Sequence, residues 1–279
     1  MPHLVRCQGA PQRKGRRVSG ATGEPVGRLL WGPPAYQPRT PWRPGPALVA
    51  TFAILAVSIA GAKVLPPLLG LDAIAPERPG EGEAAHTLMA GLRVLATFQL
   101  VAIALTLLVS MSVRPGGSVR DVLALGRAPW GWRAYAAAVL AMAGLQAVLA
   151  IVQHGLLQHD MLTDLRPFVG LVRGPDWPVA AAVLGIGAPL SEELLFRGFL
   201  LGALAKSGLG FWGGAVLSTL VWTALHAGYS SVGLAEVFAI GLLLSWLLWR
   251  TGSLRVTIFC HALYNSLIVL ALRLVELPA

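Results

Sequence analysis

Charge is scarce in this chain: 13% of its 279 residues are Asp, Glu, Lys or Arg, about half of the roughly 25% usual in soluble domains. So little polar surface cannot keep a fold of this length in water, which excludes an ordinary soluble enzyme. Acids are scarcer than bases, 13 against 22, for a net charge of +9. The Lys and Arg residues gather at the N-terminus and in alternate loops rather than along one interface. That placement excludes nucleic acid as a partner and follows membrane topology instead. Cysteine is nearly absent. Cys7 lies in a basic stretch and Cys260 in a hydrophobic run, neither with a neighbour at metal-ligand spacing, so neither a disulfide nor a cysteine metal site is expected. A Pro- and Arg-rich stretch of some forty residues precedes the first apolar run, so nothing at the N-terminus reads as a cleaved signal. No HExxH motif occurs, and no internal repeat of the kind that builds transporters from related halves is visible.

What the chain has in quantity is apolar length. Hydrophobic residues make up 55% of it and mean hydropathy is +0.66. Seven hydrophobic segments run at approximately 46–70, 87–111, 133–157, 177–204, 209–227, 231–250 and 254–275, near the 17 to 25 residues a helix needs to cross a hydrocarbon core of about 30 Å. The expected fold is all-α, a polytopic transmembrane helix bundle of about seven spans in the lipid bilayer of a cell membrane. Loops after the second, fourth and sixth segments carry Arg114, Arg120, Arg127 and Arg133, then Lys206, then Arg250 and Arg255, while those after the first and third are more acidic. The positive-inside rule then puts the N-terminus in the cytoplasm and the C-terminus outside. Residues 1–45 hold eight bases against the single acid Glu24, interrupted by Pro and Gly. This composition predicts a disordered cytoplasmic tail held near anionic lipid. Residues 46–279 form the transmembrane domain. Residues 117–133 read as an interfacial helix or loop and 162–178 as a Pro-broken piece at the opposite surface.

Ionisable side chains within spans are costly in hydrocarbon, about 2.5 to 3.5 kcal/mol on insertion scales, and mark function by default. Most of them here fall in the last four segments. In the fourth, APLSEELLFRGFL, Glu193 and Arg197 stand four apart and share a helix face as an ion pair. Glu192, about 100° round the helix, lacks that partner. Glu192 is therefore assigned the chemistry, with Glu193 and Arg197 in support. In the seventh segment His261 and Asn265, and in the fifth Trp222 and His226, have the same four-residue spacing. Each pair alone is read more simply as hydrogen-bonding glue between helices. Together they say more. Glu192 and His226 flank the turn near Lys206–Gly210 at similar separations, so an antiparallel hairpin brings a carboxylate beside an imidazole, a general-base arrangement for activating water. Depth counting from Lys206 and Arg255 makes Glu192 and His261 meet only if the tip at 203–210 projects from the membrane or a helix breaks near Pro189. The projecting tip is expected.

EExxxR, an aromatic four residues before His, and HxxxN, in that order on separate spans, resemble the signature of the CAAX protease and bacteriocin-processing (CPBP) family of intramembrane endopeptidases, which includes the type II CAAX prenyl endopeptidases. The resemblance covers residues 120–275, which would be the catalytic core. It implies that Glu192 and His226 activate the attacking water and that His261 and Asn265 stabilise the oxyanion, on a membrane-associated peptide or protein as substrate. The family usually has Phe where this chain has Trp222, a change expected to alter packing under His226. The same groups, His226, His261 and Glu192, could instead hold zinc with an open water position, and a metal-free glutamate mechanism is slightly preferred. A scaffold or immunity protein of the same fold, and a proton-coupled transporter using Glu192, Glu193 and the histidines as a relay, are the competing readings.

Overall fold

A computed structural model describes Gly27 and residues 31–70, 83–112, 118–157 and 162–275. These residues are helical, with no strand among them. The long helices are α1 (Pro44–Leu68), α2 (Glu83–Met111), α3 (Trp132–Leu156), α4 (Trp177–Leu204), α5 (Gly210–Ala224), α6 (Ser231–Thr251) and α7 (Leu254–Leu274). All seven hydrophobic segments are thus helices, and six are long and apolar enough to cross a membrane. The protein is an all-α, multi-pass membrane protein. The exception is α5, whose 15 residues reach about 22 Å at 1.5 Å per residue. Its segment 209–227 ends in turns at 225–229, where the sequence alone read a full span.

Helix α4 is the centre of the bundle. Every residue from Glu193 to Leu204 is buried, and its bulky members Phe196, Phe199, Leu200 and Leu201 form one core with Leu244, Leu247 and Leu248 of α6 and Leu254 and Val256 of α7. The peripheral helices turn residues such as Phe52, Ile59, Leu100, Leu140 and Leu267 outward, as a lipid-facing surface requires. Gly241 of α6 permits a close approach: a Cβ there would lie 2.5 Å from Thr219 Cγ2 and 2.9 Å from Arg197 Nη2. Only a residue without a side chain lets α6 press against the site helices at that level.

Two connecting stretches differ from expectation. Of the basic tail, residues 1–26 and 28–30 lie outside the described residues, but 31–43 pack across one end of the bundle. The amides of Ala35 and Tyr36 both donate to the Trp249 carbonyl at 3.1 Å, Thr40 is buried, and the Trp42 indole donates to Val109 O at 3.1 Å. Lys206 Nζ donates to Thr40 O at 2.7 Å. The reading of the whole stretch as a solvated tail therefore stops short of residue 31, because Tyr36 and Trp42 find aromatic partners in Phe211 and Phe199. Gly252, at φ 62°, caps α6, and a Cβ there would come within 2.8 Å of the Ala35 carbonyl. Residues 118–125, expected at the interface, contain a four-residue helix, Val119–Val122, that buries Leu123 completely. Leu254 N–H also donates to Ala124 O at 2.8 Å.

Candidate active site

Helix α4 supplies both acids and is wound in an unusual way. It contains π-helical turns at Ala182–Gly187 and Glu193–Leu200, features that expose backbone groups and recur at functional sites. Pro189 lies between them and has no N–H to give. The carbonyls of Val183, Leu184 and Gly185 accept instead from Gln99 Nε2 (3.2 Å), Asn265 Nδ2 (3.2 Å) and Ser266 Oγ (3.5 Å). Neighbouring side chains thus fill carbonyls that water cannot reach in a membrane. The helix remains continuous through Pro189, and the tip beyond it carries exposed Lys206, Gly208 and Leu209.

The two adjacent glutamates have different surroundings. Glu193 is fully buried, and its Oε1 accepts from Arg197 Nη1 at 2.9 Å and pairs with His261 Nδ1 at 3.0 Å. The guanidinium also lies 4.1 Å over the Trp222 ring. Glu193 is thus the hub of a buried triad joining α4 to α7, a wider role than the single ion pair read from its spacing. Glu192 keeps 21% of its side chain exposed. Its Oε2 accepts the Trp222 indole N–H at 2.9 Å and lies 3.9 Å from His261 Nε2. That last distance is too long for a direct hydrogen bond and suits two groups that share one water or one reacting oxygen. The indole bond uses Oε2 and leaves Oε1 available to a further partner.

His226 sits just past the end of α5, its Nδ1 3.2 Å from the Trp222 carbonyl. A carbonyl can only accept, so Nδ1 carries a proton here and Nε2 is the nitrogen left for another partner. No hydrogen bond joins His226 to Glu192 among the described residues. Trp222 links them, giving its indole N–H to one and its carbonyl to the other, with its ring 5.1 Å from that of His226 and 5.7 Å from that of His261. The Trp expected only to alter packing is thus also a donor to the candidate base. Trp222→Phe keeps the ring and removes that donor. It is expected to lower kcat about tenfold, with KM and folded yield little changed, since a charge-assisted hydrogen bond contributes on the order of 1.5 to 3 kcal/mol; steady-state assays of the purified variant read this directly.

Asn265, one turn along α7 from His261, spends one amide N–H on Leu184 O. Its second N–H and its carbonyl oxygen are the groups it can offer elsewhere. Tyr229 was not singled out in the sequence. Its ring packs 5.4 Å from that of His226, and burial, with the charges of Glu192, Asp164 and Glu236, pushes its phenol up to about 12, which keeps it a neutral donor. Its only sequence signal is position, three residues after His226 in a short turn. Among the described residues no three His, Cys, Asp or Glu side chains are grouped so as to hold a metal ion; the Nδ1 of His261 is taken by Glu193, which leaves Nε2 as its free nitrogen.

Residues 174–267, which carry all of these groups, match the family described as type II CAAX prenyl endopeptidase Rce1-like. That stretch is similar to the CAAX protease family. A curated relative, an uncharacterized 24.3 kDa protein of Escherichia coli, is 35% identical over 125 residues, which covers 42% of this chain and 58% of that protein. The chain thus matches little more than half of that relative's length. No solved structure matches. The three motifs fall on α4, on α5 with the turn after it, and on α7 in chain order, and all of the residues picked out in the sequence lie inside the matched region.

Proposed function

We propose that this protein is an intramembrane endopeptidase that cleaves a peptide bond of a membrane-associated peptide or protein with a water activated by Glu192. The observation that carries this reading is the division of labour between adjacent acids: Glu193 is buried with Oε1 held by both Arg197 and His261, while Glu192 is partly exposed, accepts from Trp222 through Oε2 near His261 Nε2, and has Oε1 left for a further partner. Glu192 Oε1 takes a proton from water, and the resulting hydroxide attacks the scissile carbonyl carbon. His226 Nε2 orients that water from the other side. With its Nδ1 held by Glu193, His261 directs Nε2 at the oxyanion as a donor, and the second N–H of Asn265 adds another; such aimed donors contribute about 2.7 to 4 kcal/mol each. When the tetrahedral intermediate collapses, protonated Glu192 returns its proton to the leaving amine nitrogen. The catalytic core is residues 120–275, and the N-terminal side faces the cytoplasm.

The test is a comparison of membrane-associated peptides from cells that make the wild-type protein with those from cells that make Glu192→Ala. A defined set of peptide ends should be present with the first and missing with the second. Identical peptide sets would leave a scaffold or immunity role of the same fold. On this metal-free reading, activity is expected to survive exhaustive chelation, and elemental analysis should find less than stoichiometric zinc. One zinc per chain, with activity restored by adding it back, would move His226, His261 and Glu192 into ligand roles.

A further inference from the structure

A second polar cluster lies beside the first and takes no part in the proposed reaction. Glu236, in the second turn of α6, accepts from Gln153 Nε2 at 2.7 Å through one oxygen and from the Tyr264 hydroxyl at 3.2 Å through the other. Both donors are neutral, so they leave the carboxylate's charge unmatched. Glu236 and Gln153 line an open cavity of about 220 Å³ between the end of α3 and the start of α6, with Leu149, Val152, Val232 and Ala235 as its apolar walls. Leu157 and Ala235 are exposed on its rim, so the cavity opens on the apolar outer surface of the bundle. Its first α6 turn is anchored: Asp164 accepts from the backbone N–H and hydroxyl of Ser230, at 2.8 and 2.7 Å. Tyr229 lies between the two clusters, against His226 on one side and within the fields of Glu192 and Glu236.

We infer that this cavity is a substrate subsite next to the scissile position, and that Glu236 selects a segment carrying a lysine or arginine among apolar residues. The inference rests on the proteolytic reading only for what happens after binding. Charge complementarity selects the occupant. An apolar slot lined by one carboxylate rewards a long aliphatic stem that ends in a cation, because the stem replaces lipid against the walls while the head meets Glu236. A glutamine or leucine in the same place gains the wall contacts without the charge. An acidic side chain is repelled. Gln153 and Tyr264 are then positioning residues that fix the carboxylate through its two oxygens.

The test uses binding, so it does not depend on turnover. A photo-crosslinking amino acid is placed at Ala235 in the full chain carrying Glu192→Ala, reconstituted in nanodiscs. The probes are synthetic apolar peptides identical except for one central Lys, Gln, Leu or Glu. Capture of the Lys probe should exceed that of the Gln and Leu probes by roughly tenfold, the scale of one ion pair of modest strength. Glu236→Gln should level the Lys, Gln and Leu probes, and Glu236→Lys should favour the Glu probe. Equal capture of Lys and Gln probes, crosslinks to lipid alone, or a Lys preference that persists in Glu236→Gln would each overturn the subsite. Size-exclusion profiles identify a misfolded variant, and reversal in Glu236→Lys then decides. Capture without cleavage of the bound Lys probe by Glu192-intact protein would count against the proteolytic reading and leave the subsite standing.

Discussion

Glu192→Gln is expected to reduce kcat on an identified substrate by at least about a thousandfold while the protein remains inserted and folded. The carboxamide can still accept the Trp222 indole N–H on its oxygen, so the local packing of α4 against α5 survives. It cannot take a proton from water at neutral pH. General-base catalysis accounts for about 10² to 10⁴ in rate, and the variant should lose most of that with KM little changed, because the lost interaction belongs to the transition state. His226→Ala should fall in the same direction by a smaller factor, since in the proposed mechanism its Nε2 orients the water while Glu192 carries the proton. Single-turnover cleavage by purified protein measures both. Near-normal turnover by Glu192→Gln would rule out Glu192 as the base.

The largest structural effect is expected from Arg197→Met. Arg197 and Glu193 are 1% and 0% exposed, and removal of the guanidinium leaves the Glu193 carboxylate with only His261 in a dry interior. Breaking one side of a buried pair costs about 3 to 5 kcal/mol, a large part of the roughly 5 to 15 kcal/mol that holds an ordinary domain together. Membrane-inserted protein should fall severalfold in abundance and unfold at lower denaturant. The double change Arg197→Met with Glu193→Gln should recover a good part of that loss, because a neutral carboxamide needs no counterion and still bonds His261 Nδ1. If the double variant proved no better than the single one, the loss would come from the guanidinium's packing on Trp222 rather than from the stranded charge. Either result separates the support residues from Glu192, whose replacement should spare abundance.

Much of this was legible in the sequence because membranes simplify the reading. Lipid admits backbone only as helices or closed barrels, so long apolar runs translate directly into α1 to α7, and the rarity of charge within those runs marks Glu192, Glu193, Arg197, His226, His261 and Asn265. Four-residue spacing along one helix foretold the Glu193–Arg197 pair, because that contact is set by helix geometry alone. Contacts between helices had no such rule behind them. Tertiary packing alone turned His261 Nδ1 to Glu193 and brought the Trp222 indole N–H to Glu192. It also set Asn265 against the Leu184 carbonyl, which the π-helical winding and Pro189 had left open, and drew residues 31–43 onto the end of the bundle through Tyr36 and Trp42. Residue types and their order along the chain fixed which groups could react. The crossing and rotation of helices, which depend on how small residues such as Gly241 let neighbours approach, decided which of those groups meet.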